Sequence, residues 1–511
     1  MLDAILVTES RKGISSRGED SSRKLARLRA RIDDTDDELL ELLETRMKLS
    51  GQISSVKQAA GLPFENLRRE EEILDCVGHK ADPAFAPYAV EFFREIFAMS
   101  KKYQRSLVDQ LGYGLIGHPL SHSFSKEIHE ALGRYSFHLF DLTPEEMQAF
   151  VRSRRFSGLT VTRPYKQAVI PMCDALTPRA GEIGAVNTLY FDEGRLIGHN
   201  TDYDGFLYTA LRSGIDFVGK IVLILGSGGT SRTVYRVCAD RGAAAILFAS
   251  RGEGDGKRIF NYDRLPDIAE QIEIIVNTTP AGTYPENLNA LISLGDFPAC
   301  EAVIDVVYNP FRTALLMEAD SMGLKTANGM PMLVAQAMAA ADKFLGKAGE
   351  LTGKTEQILR KMEAKMGNIV LIGMPGCGKS AAARKLAAMT GRTCVDLDDE
   401  IAAETGIPVP DLLNRFGEAF FRKVETLVAC RVGREHGQII ASGGGIVLRE
   451  ENYRALKQNG TFIWLKRPIH QLATDGRPLS KDFPALEKIA HERYKLYGEW
   501  ADYIINSDEL M

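Results

Sequence analysis

Across residues 21–60 apolar side chains fall at Leu25, Leu28, Ile32, Leu39, Leu42, Leu49, Ile53 and Val56, the spacing of a single helix stripe held for about ten turns. Gly61-Leu62-Pro63 stops it, a second helical pattern covers 67–77, and Pro87 opens a third that runs to 107. Three helices with one long arm bury little surface alone, so this all-α module, 21–110, is expected to pair with a second copy of itself. The Ser-, Arg-, Glu- and Gly-rich stretch 8–22 reads as a disordered leader, which leaves 1–20 outside the fold.

Beyond residue 111 the pattern changes. Short apolar runs at 113–117, 221–225, 245–249, 368–372 and 393–395 end in glycine, hydroxyl or carboxylate groups and alternate with helical stretches. That alternation predicts α/β layers around parallel strands. Residues 111–346 divide into one lobe of 111–212 with 330–346 and a second, dinucleotide-type (Rossmann) lobe of 213–329. Residues 347–367 mix Gly, Lys and Glu with a weak helical pattern at Ile358, Leu359 and Met362, and read as a tether to a last α/β unit, 368–511.

The length of 511 residues suits about three domains at roughly 150 residues each. A formal charge of -5 with 26% charged residues leaves no basic excess for nucleic acid or an anionic membrane, so anion binding must be local. The seven cysteines form no C-x-x-C pair and the nine histidines no metal-ligand spacing, which fits a reducing cytoplasm. Residues 1–7 are too short and acidic for a signal sequence, and no apolar run approaches bilayer-spanning length.

The most specific chemistry lies at Gly373-Met374-Pro375-Gly376-Cys377-Gly378-Lys379-Ser380, between an apolar run and an Ala/Leu-rich helical stretch. In G-x-x-x-x-G-K-S the glycines turn backbone N–H groups onto a polyphosphate at a helix N-terminus, the lysine reaches the transferred phosphate and the serine serves Mg²⁺. Phosphoryl transfer from a nucleotide is the expectation, with the acceptor left open. A second glycine turn, Gly226-Ser227-Gly228-Gly229, follows the run 221–225, and the next run ends at Ser250-Arg251. Where an acidic residue would bind a ribose 2′-OH, Arg251 suits a 2′-phosphate, favouring NADP over NAD; on a tight turn it could equally be a surface arginine. On the long helix Arg46 and Lys57 stand eleven residues apart, within about 20° around the axis. They could clasp one small anion or simply pair with nearby glutamates.

Three resemblances narrow these readings. Leu28-Arg29, Ile32-Asp33, Asp36, Leu39-Leu40, Arg46, Lys57, Gly61-Leu62-Pro63, Arg69-Glu70 and 100–104 resemble the all-helical chorismate mutase family. The resemblance implies that Arg46, with Arg29 of a partner protomer, holds the substrate carboxylates. It places Lys57 and Gln104 at the ether oxygen, Glu70 and Ser100 at the hydroxyl end, and Arg69 in the same shell. Asn66 departs from a frequent aspartate. Such a rearrangement needs a held conformer and cations rather than an acid–base pair.

Ser123 and Ser125, Thr162-x-Pro164-x-Lys166, Asn187-Thr188, Asn200-Thr201-Asp202, Asn277-Thr278-Thr279-Pro280, 305–310 and 332–337 are similar to shikimate dehydrogenase, in that family's order. Implied are Ser123, Ser125, Thr162, Asn187 and Gln336 on substrate, and Lys166 with Asp202 at the reduced carbonyl. Gly226, Gly228, Gly229, Ser250, Arg251 and Thr278 would hold NADP(H), with Tyr308 and Gly329 near the nicotinamide. Thr160 and Ser250-Arg251-Gly252 are departures.

The phosphate loop, Asp396-Leu397-Asp398, Phe421-Arg422-x-x-Glu425, Gly443-Gly444-Gly445, Gly476-Arg477-Pro478-Leu479 and Glu492-Arg493 resemble shikimate kinase. Implied are Gly373, Gly376, Gly378 and Lys379 on ATP, and Ser380 with Asp396 on Mg²⁺. Asp398 would take the acceptor hydroxyl, with Arg422, Arg493 and Gly443 to Gly445 on the acid and Arg477 as a lid arginine. The lid is shorter than the family's. Together these imply a trifunctional enzyme of the shikimate pathway. It would reduce 3-dehydroshikimate, phosphorylate shikimate and rearrange chorismate, in the cytoplasm, on small molecules, as a homodimer. The alternatives are a dehydrogenase/kinase whose helical module serves dimerisation or feedback sensing, a quinate dehydrogenase in the middle, and another small-molecule kinase at the end.

Overall fold

A computed structural model describes residues 2–59, 67–108, 112–120, 123–252, 256–347, 349–473 and 483–507; the side chains of 2–23, 54–59, 67–68, 102, 104–108 and 485 lie outside that description. The chain divides into two compact units, 1–113 with 142–158 and 191–196, and the remainder to residue 511.

The first unit is built on the helices Leu2–Ala59, Leu67–Lys80 and Ala86–Val108. The long helix passes through the stretch expected to be a disordered leader. No proline interrupts residues 8–22, and once a helix is nucleated each added residue gains a backbone hydrogen bond for the freedom of one residue. Ile96, Phe97, Ser50 and Ser100 are buried where the first and third helices meet, yet Leu25, Leu28, Ile32, Leu39, Leu42, Leu49 and Ile53 are each 47% to 68% exposed.

From Tyr113 onward the chain forms three sheets. One has the spatial order Phe137–Asp141, Tyr113–Gly117, Gly158–Val161, Thr188–Asp192, Arg195–His199, Ala175–Leu176. The next is wholly parallel, in the order Lys325–Ala327, Ala302–Asp305, Ile274–Asn277, Ile221–Leu225, Ala245–Ser250, Ile259–Asn261. This is the doubly wound order, with its switch point beside Ile221–Leu225. Alternation along that strand sends Val222 and Ile224 into one core and Leu223 and Leu225 into another. The third sheet, also parallel, runs Thr393–Asp396, Gln438–Ala441, Asn368–Ile372, Gly460–Lys466, Tyr503–Asn506.

The stretch expected as a tether carries the helix Thr355–Met366. Ile358, Leu359, Met362 and Met366 share one face, and burying it against Met330, Val334 and Met338 of the helix Met330–Phe344 decides the outcome. Its solvent side is tied down as well, since Glu356 accepts from Tyr208 Oη at 2.8 Å and Arg212 Nε at 3.1 Å. Among the described residues no helix is long and apolar enough to cross a membrane.

Candidate active sites

In the two-lobed part, Asp202 opens the helix Asp202–Arg212, where the unpaired N–H groups favour a carboxylate. Its Oδ2 accepts from Lys166 Nζ at 2.6 Å and its Oδ1 from Asn187 Nδ2 at 2.9 Å. Asn187 Nδ2 also reaches Gln336 Oε1 at 3.3 Å, and its Oδ1 accepts from the Thr201 N–H at 2.7 Å and the Thr188 hydroxyl at 3.0 Å. One buried amide therefore orients the lysine–aspartate pair and ties it to the helix Met330–Phe344. Gly205 lets that helix approach, because a Cβ there would lie 2.6 Å from the Met332 carbonyl. Ser123 and Ser125 form a second hydroxyl group, their Oγ atoms 3.2 Å apart.

The glycine turn after Ile221–Leu225 lies beside this pair: a Cβ on Gly229 would touch Lys166 Cδ at 3.7 Å. Gly226 has φ +106° with Thr278 Oγ1 and Thr279 beneath it, so a side chain is excluded by backbone and space together. Thr278 Oγ1 donates to the Leu225 carbonyl at 2.7 Å. Ser250 and the exposed Arg251 end the neighbouring strand. The cradle fits a dinucleotide phosphate, with its helix N-terminus facing outward. Gly329 is needed for packing, since a Cβ would overlap the Val306 carbonyl, and Tyr308 is half-buried with its pKa raised by desolvation. Asp305 is also fully buried, accepting from Thr313 Oγ1 at 2.6 Å, the Val307 N–H and Asn277 Nδ2; burial raises its pKa to about 7.

In the last part, Gly373, Gly376 and Gly378 all have positive φ, at 144°, 81° and 97°. Lys379 is buried inside the loop, its ammonium donating to the Gly373 and Met374 carbonyls, each at 2.9 Å. Ser380 sits on the first turn of the helix Lys379–Thr390, and Asp396 ends the strand Thr393–Asp396, its side chain accepting from the Asp398 N–H. These donors fit a magnesium-bound polyphosphate.

Gly443, Gly444 and Gly445 form the wall opposite. A Cβ on Gly444 would fall 2.7 Å from Pro375 of the phosphate loop, and one on Gly443 3.3 Å from Asp398 Oδ1. Arg422 lies under Gly445, its Nη1 donating to Glu425 Oε2 at 2.8 Å and its Nη2 to Glu418 Oε1 at 2.9 Å. Burial works against its charge, but the Glu425 and Glu418 carboxylates outweigh burial and raise its pKa. Arg493 Nη1 and Tyr497 Oη both donate to the Gly444 carbonyl. Glu425 Oε1 and Arg493 Nε are buried without a hydrogen-bond partner, an unspent donor and acceptor where a polar ligand would sit. Asp398 has its pKa raised by crowding of protein around it and then by the Asp396 carboxylate.

In the helical module Arg46 Nη1 donates to Ser100 Oγ and lies over the Phe97 ring at 5.4 Å. Glu70 is paired with Lys101 at 3.0 Å. Arg29 and Arg69 are exposed. The side chains of Lys57 and Gln104, and the whole of Asn66 and Arg477 with its lid, lie outside the described residues.

Comparison with known proteins follows the same division. Over 253 residues the chain is 34% identical to a shikimate dehydrogenase (NADP(+)) of Clostridium perfringens, covering 46% of this chain and 92% of that protein. The chain belongs to the shikimate dehydrogenase family. A Methanopyrus kandleri relative of the same name is 35% identical over 276 residues, covering 49% of this chain and 95% of its own length. A solved chorismate mutase/shikimate 5-dehydrogenase fusion protein from Clostridium acetobutylicum superposes with a TM-score of 0.46 at 30% identity, covering 49% of this chain and 97% of that one. Family models match at 28–105 (chorismate mutase type II), 115–189 (shikimate dehydrogenase substrate binding domain) and 375–511 (shikimate kinase). The three matches make the chain a fusion of chorismate mutase, shikimate dehydrogenase and shikimate kinase, enzymes of aromatic amino acid biosynthesis by the shikimate pathway.

The motifs include several contributors to the dehydrogenase and kinase sites without giving the contacts they make. Glu418 and Tyr497 hold Arg422 and the Gly444 carbonyl. The spacing Glu418, Arg422, Glu425 places both carboxylates on the arginine's helix face, a signal that was available. The Asn187 to Gln336 contact joins residues 149 apart and has no local signal.

Proposed function

We propose that the chain carries out NADPH-dependent reduction of 3-dehydroshikimate, ATP-dependent phosphorylation of the resulting shikimate, and rearrangement of chorismate to prephenate. Its domains would be 21–110, 111–346 and 368–511. The observation that carries the kinase assignment is the convergence of Asp398, Arg422 and Arg493 on a three-glycine wall that abuts the phosphate loop.

In the dehydrogenase site Lys166 is the proton donor to the oxygen of the reduced ketone. Asp202, held by Asn187, fixes the ammonium's direction. Ser123, Ser125, Thr162 and Gln336 bind the acid's carboxylate and hydroxyls, and the cradle of Gly226, Gly228, Gly229, Thr278 and Arg251 would hold NADPH, which would supply the hydride. In the kinase site Asp398 accepts the proton of the attacking hydroxyl, a role its raised pKa favours. Arg422 and Arg493 bind the carboxylate, and the glycine wall lets the ring approach. Lys379 would hold ATP, which would supply the phosphoryl group, and Ser380 with Asp396 would hold Mg²⁺. In the mutase, Arg46, steadied by Ser100, grips a substrate carboxylate.

The exposed leucine stripe of the helix Leu2–Ala59 supports a homodimer in which each protomer lends Arg29 to its partner's mutase site. Seven cysteines, none of them in a disulfide, support a reducing, cytoplasmic setting. The test supplies full-length protein with 3-dehydroshikimate, NADPH, ATP and Mg²⁺ and follows shikimate 3-phosphate by mass spectrometry. Absence of that product, from 3-dehydroshikimate and from added shikimate alike, removes the kinase assignment.

A further inference from the structure

The dehydrogenase and kinase parts share one compact unit, and two of the dehydrogenase loops that the kinase reaches flank the substrate side. The first is the serine loop. Phe124, between Ser123 and Ser125, meets Tyr308 at 5.7 Å and the His436 imidazole at 5.4 Å, both edge to face. His436 belongs to the turn between the kinase helix Glu418–Arg434 and the strand Gln438–Ala441, whose far end leads into the glycine wall.

That turn has little freedom. Gly437 N–H donates to the Met366 carbonyl at 3.0 Å, Asn368 Nδ2 to the Glu435 carbonyl at 2.7 Å, and Gln438 N–H to Asn368 Oδ1 at 2.9 Å. Met366 closes the apolar cluster of Met330 and Val334 against which Phe124 and Tyr308 also pack. His436 Nδ1 is buried without a hydrogen-bond partner, the ring also bonds the Met366 backbone, and burial lowers its pKa, so it is towards Phe124 that the ring acts by its edge and volume. The second loop follows Tyr308: Phe311 N–H donates to Asn459 Oδ1 at 3.1 Å and Arg312 N–H to the Gln458 carbonyl at 2.9 Å.

We infer that His436, a residue of the kinase part, is a positioning residue for the dehydrogenase, wedging Phe124 so that Ser123 and Ser125 face the acid. The inference rests on reading that serine pair as substrate-binding. An aromatic edge contact of this kind sets the expected size of the effect, roughly 3- to 10-fold.

The experiment uses the full-length protein with shikimate and NADP⁺. His436→Ala raises the dehydrogenase KM for shikimate by that factor, with the KM for NADP⁺ unchanged and kinase kinetics intact, and His436→Phe restores the wild-type KM. An unchanged shikimate KM in His436→Ala overturns the inference. Should that variant lose kinase activity, His436→Leu, which keeps the volume without the aromatic edge, gives the decision by the same readout. Ser125→Ala separates the two readings. A raised KM there beside unchanged values in the His436 variants overturns the positioning role alone, whereas an unchanged KM in Ser125→Ala removes the serine-loop reading and the inference with it.

Discussion

Adding one methyl group at Gly445 should disable the kinase and leave the rest of the chain working. The backbone there, at φ −102° and ψ 6°, accepts alanine, so the perturbation is steric only. The new Cβ would stand 2.1 Å from Arg422 Nη2 and 2.5 Å from Nη1, and the guanidinium must retreat by roughly an ångström or more to reach ordinary contact. It is not free to do so, being held by Glu425 at 2.8 Å and Glu418 at 2.9 Å. Either those bonds break or the arginine turns away from the acceptor's carboxylate. A hydrogen bond to a charged group contributes about 1.5–3 kcal/mol, so losing one predicts a roughly 10- to 150-fold fall in kcat/KM for shikimate phosphorylation, chiefly through KM. The assay follows ADP release against shikimate concentration, with dehydrogenase and mutase rates of the same sample as controls. Thermal unfolding reports whether freeing the buried Glu425 also costs stability. A shikimate KM within twofold of wild type, in a folded protein, refutes the role of Arg422.

Other outcomes follow from single residues. Arg46→Ala abolishes prephenate formation while dehydrogenase and kinase rates persist; unchanged prephenate formation removes the mutase assignment of that arginine. Arg251→Ser, which takes away the exposed guanidinium at the strand end, raises the KM for NADPH about tenfold or more and leaves that for NADH nearly unchanged; steady-state kinetics with the two cofactors compares them. His129 is fully buried, stacked on Phe137 at 3.9 Å, and burial lowers its pKa from 6.5 to about 3. The unfolded chain therefore takes up a proton that the folded one refuses between those values, so stability is full above pH 6.5 and declines as pH falls toward 3, by about 2 kcal/mol at pH 5. His129→Phe flattens this acid limb, read as the pH dependence of the urea midpoint for dehydrogenase activity; an unaltered slope contradicts it.

The phosphate loop and the glycine wall were legible because each depends on residues adjacent in sequence whose type is dictated by backbone conformation, whereas Lys166 and Asp202, 36 residues apart, were joined only by the family resemblance. Less legible was what holds them. Asn187 works through Thr201, Asp202 and Gln336, partners that only the tertiary fold assembles. The helix Thr355–Met366 was hidden because its intrinsic pattern is weak and its stability comes from methionines on another helix. The strip 8–22 misled for a related reason: its composition suits disorder, yet nothing in it forbids continuing a helix already formed. Arg422 shows the opposite case, since its two glutamates lay at helix spacing and the clasp could have been drawn in advance.

The amide seam at residues 287, 311, 458 and 459 has a consequence for the order of synthesis. Domains emerging from a ribosome generally fold as they appear, N-terminal part first. Here the Phe311 N–H waits for Asn459, 148 residues downstream, and the Asn287 amide for Gln458, 171 residues downstream. Until then these groups have only water. The dehydrogenase therefore leaves the ribosome with an unfinished edge, and the growing kinase completes it. A nascent chain halted before residue 458 is predicted to be the more protease-sensitive at 284–312, a region that translation itself seals.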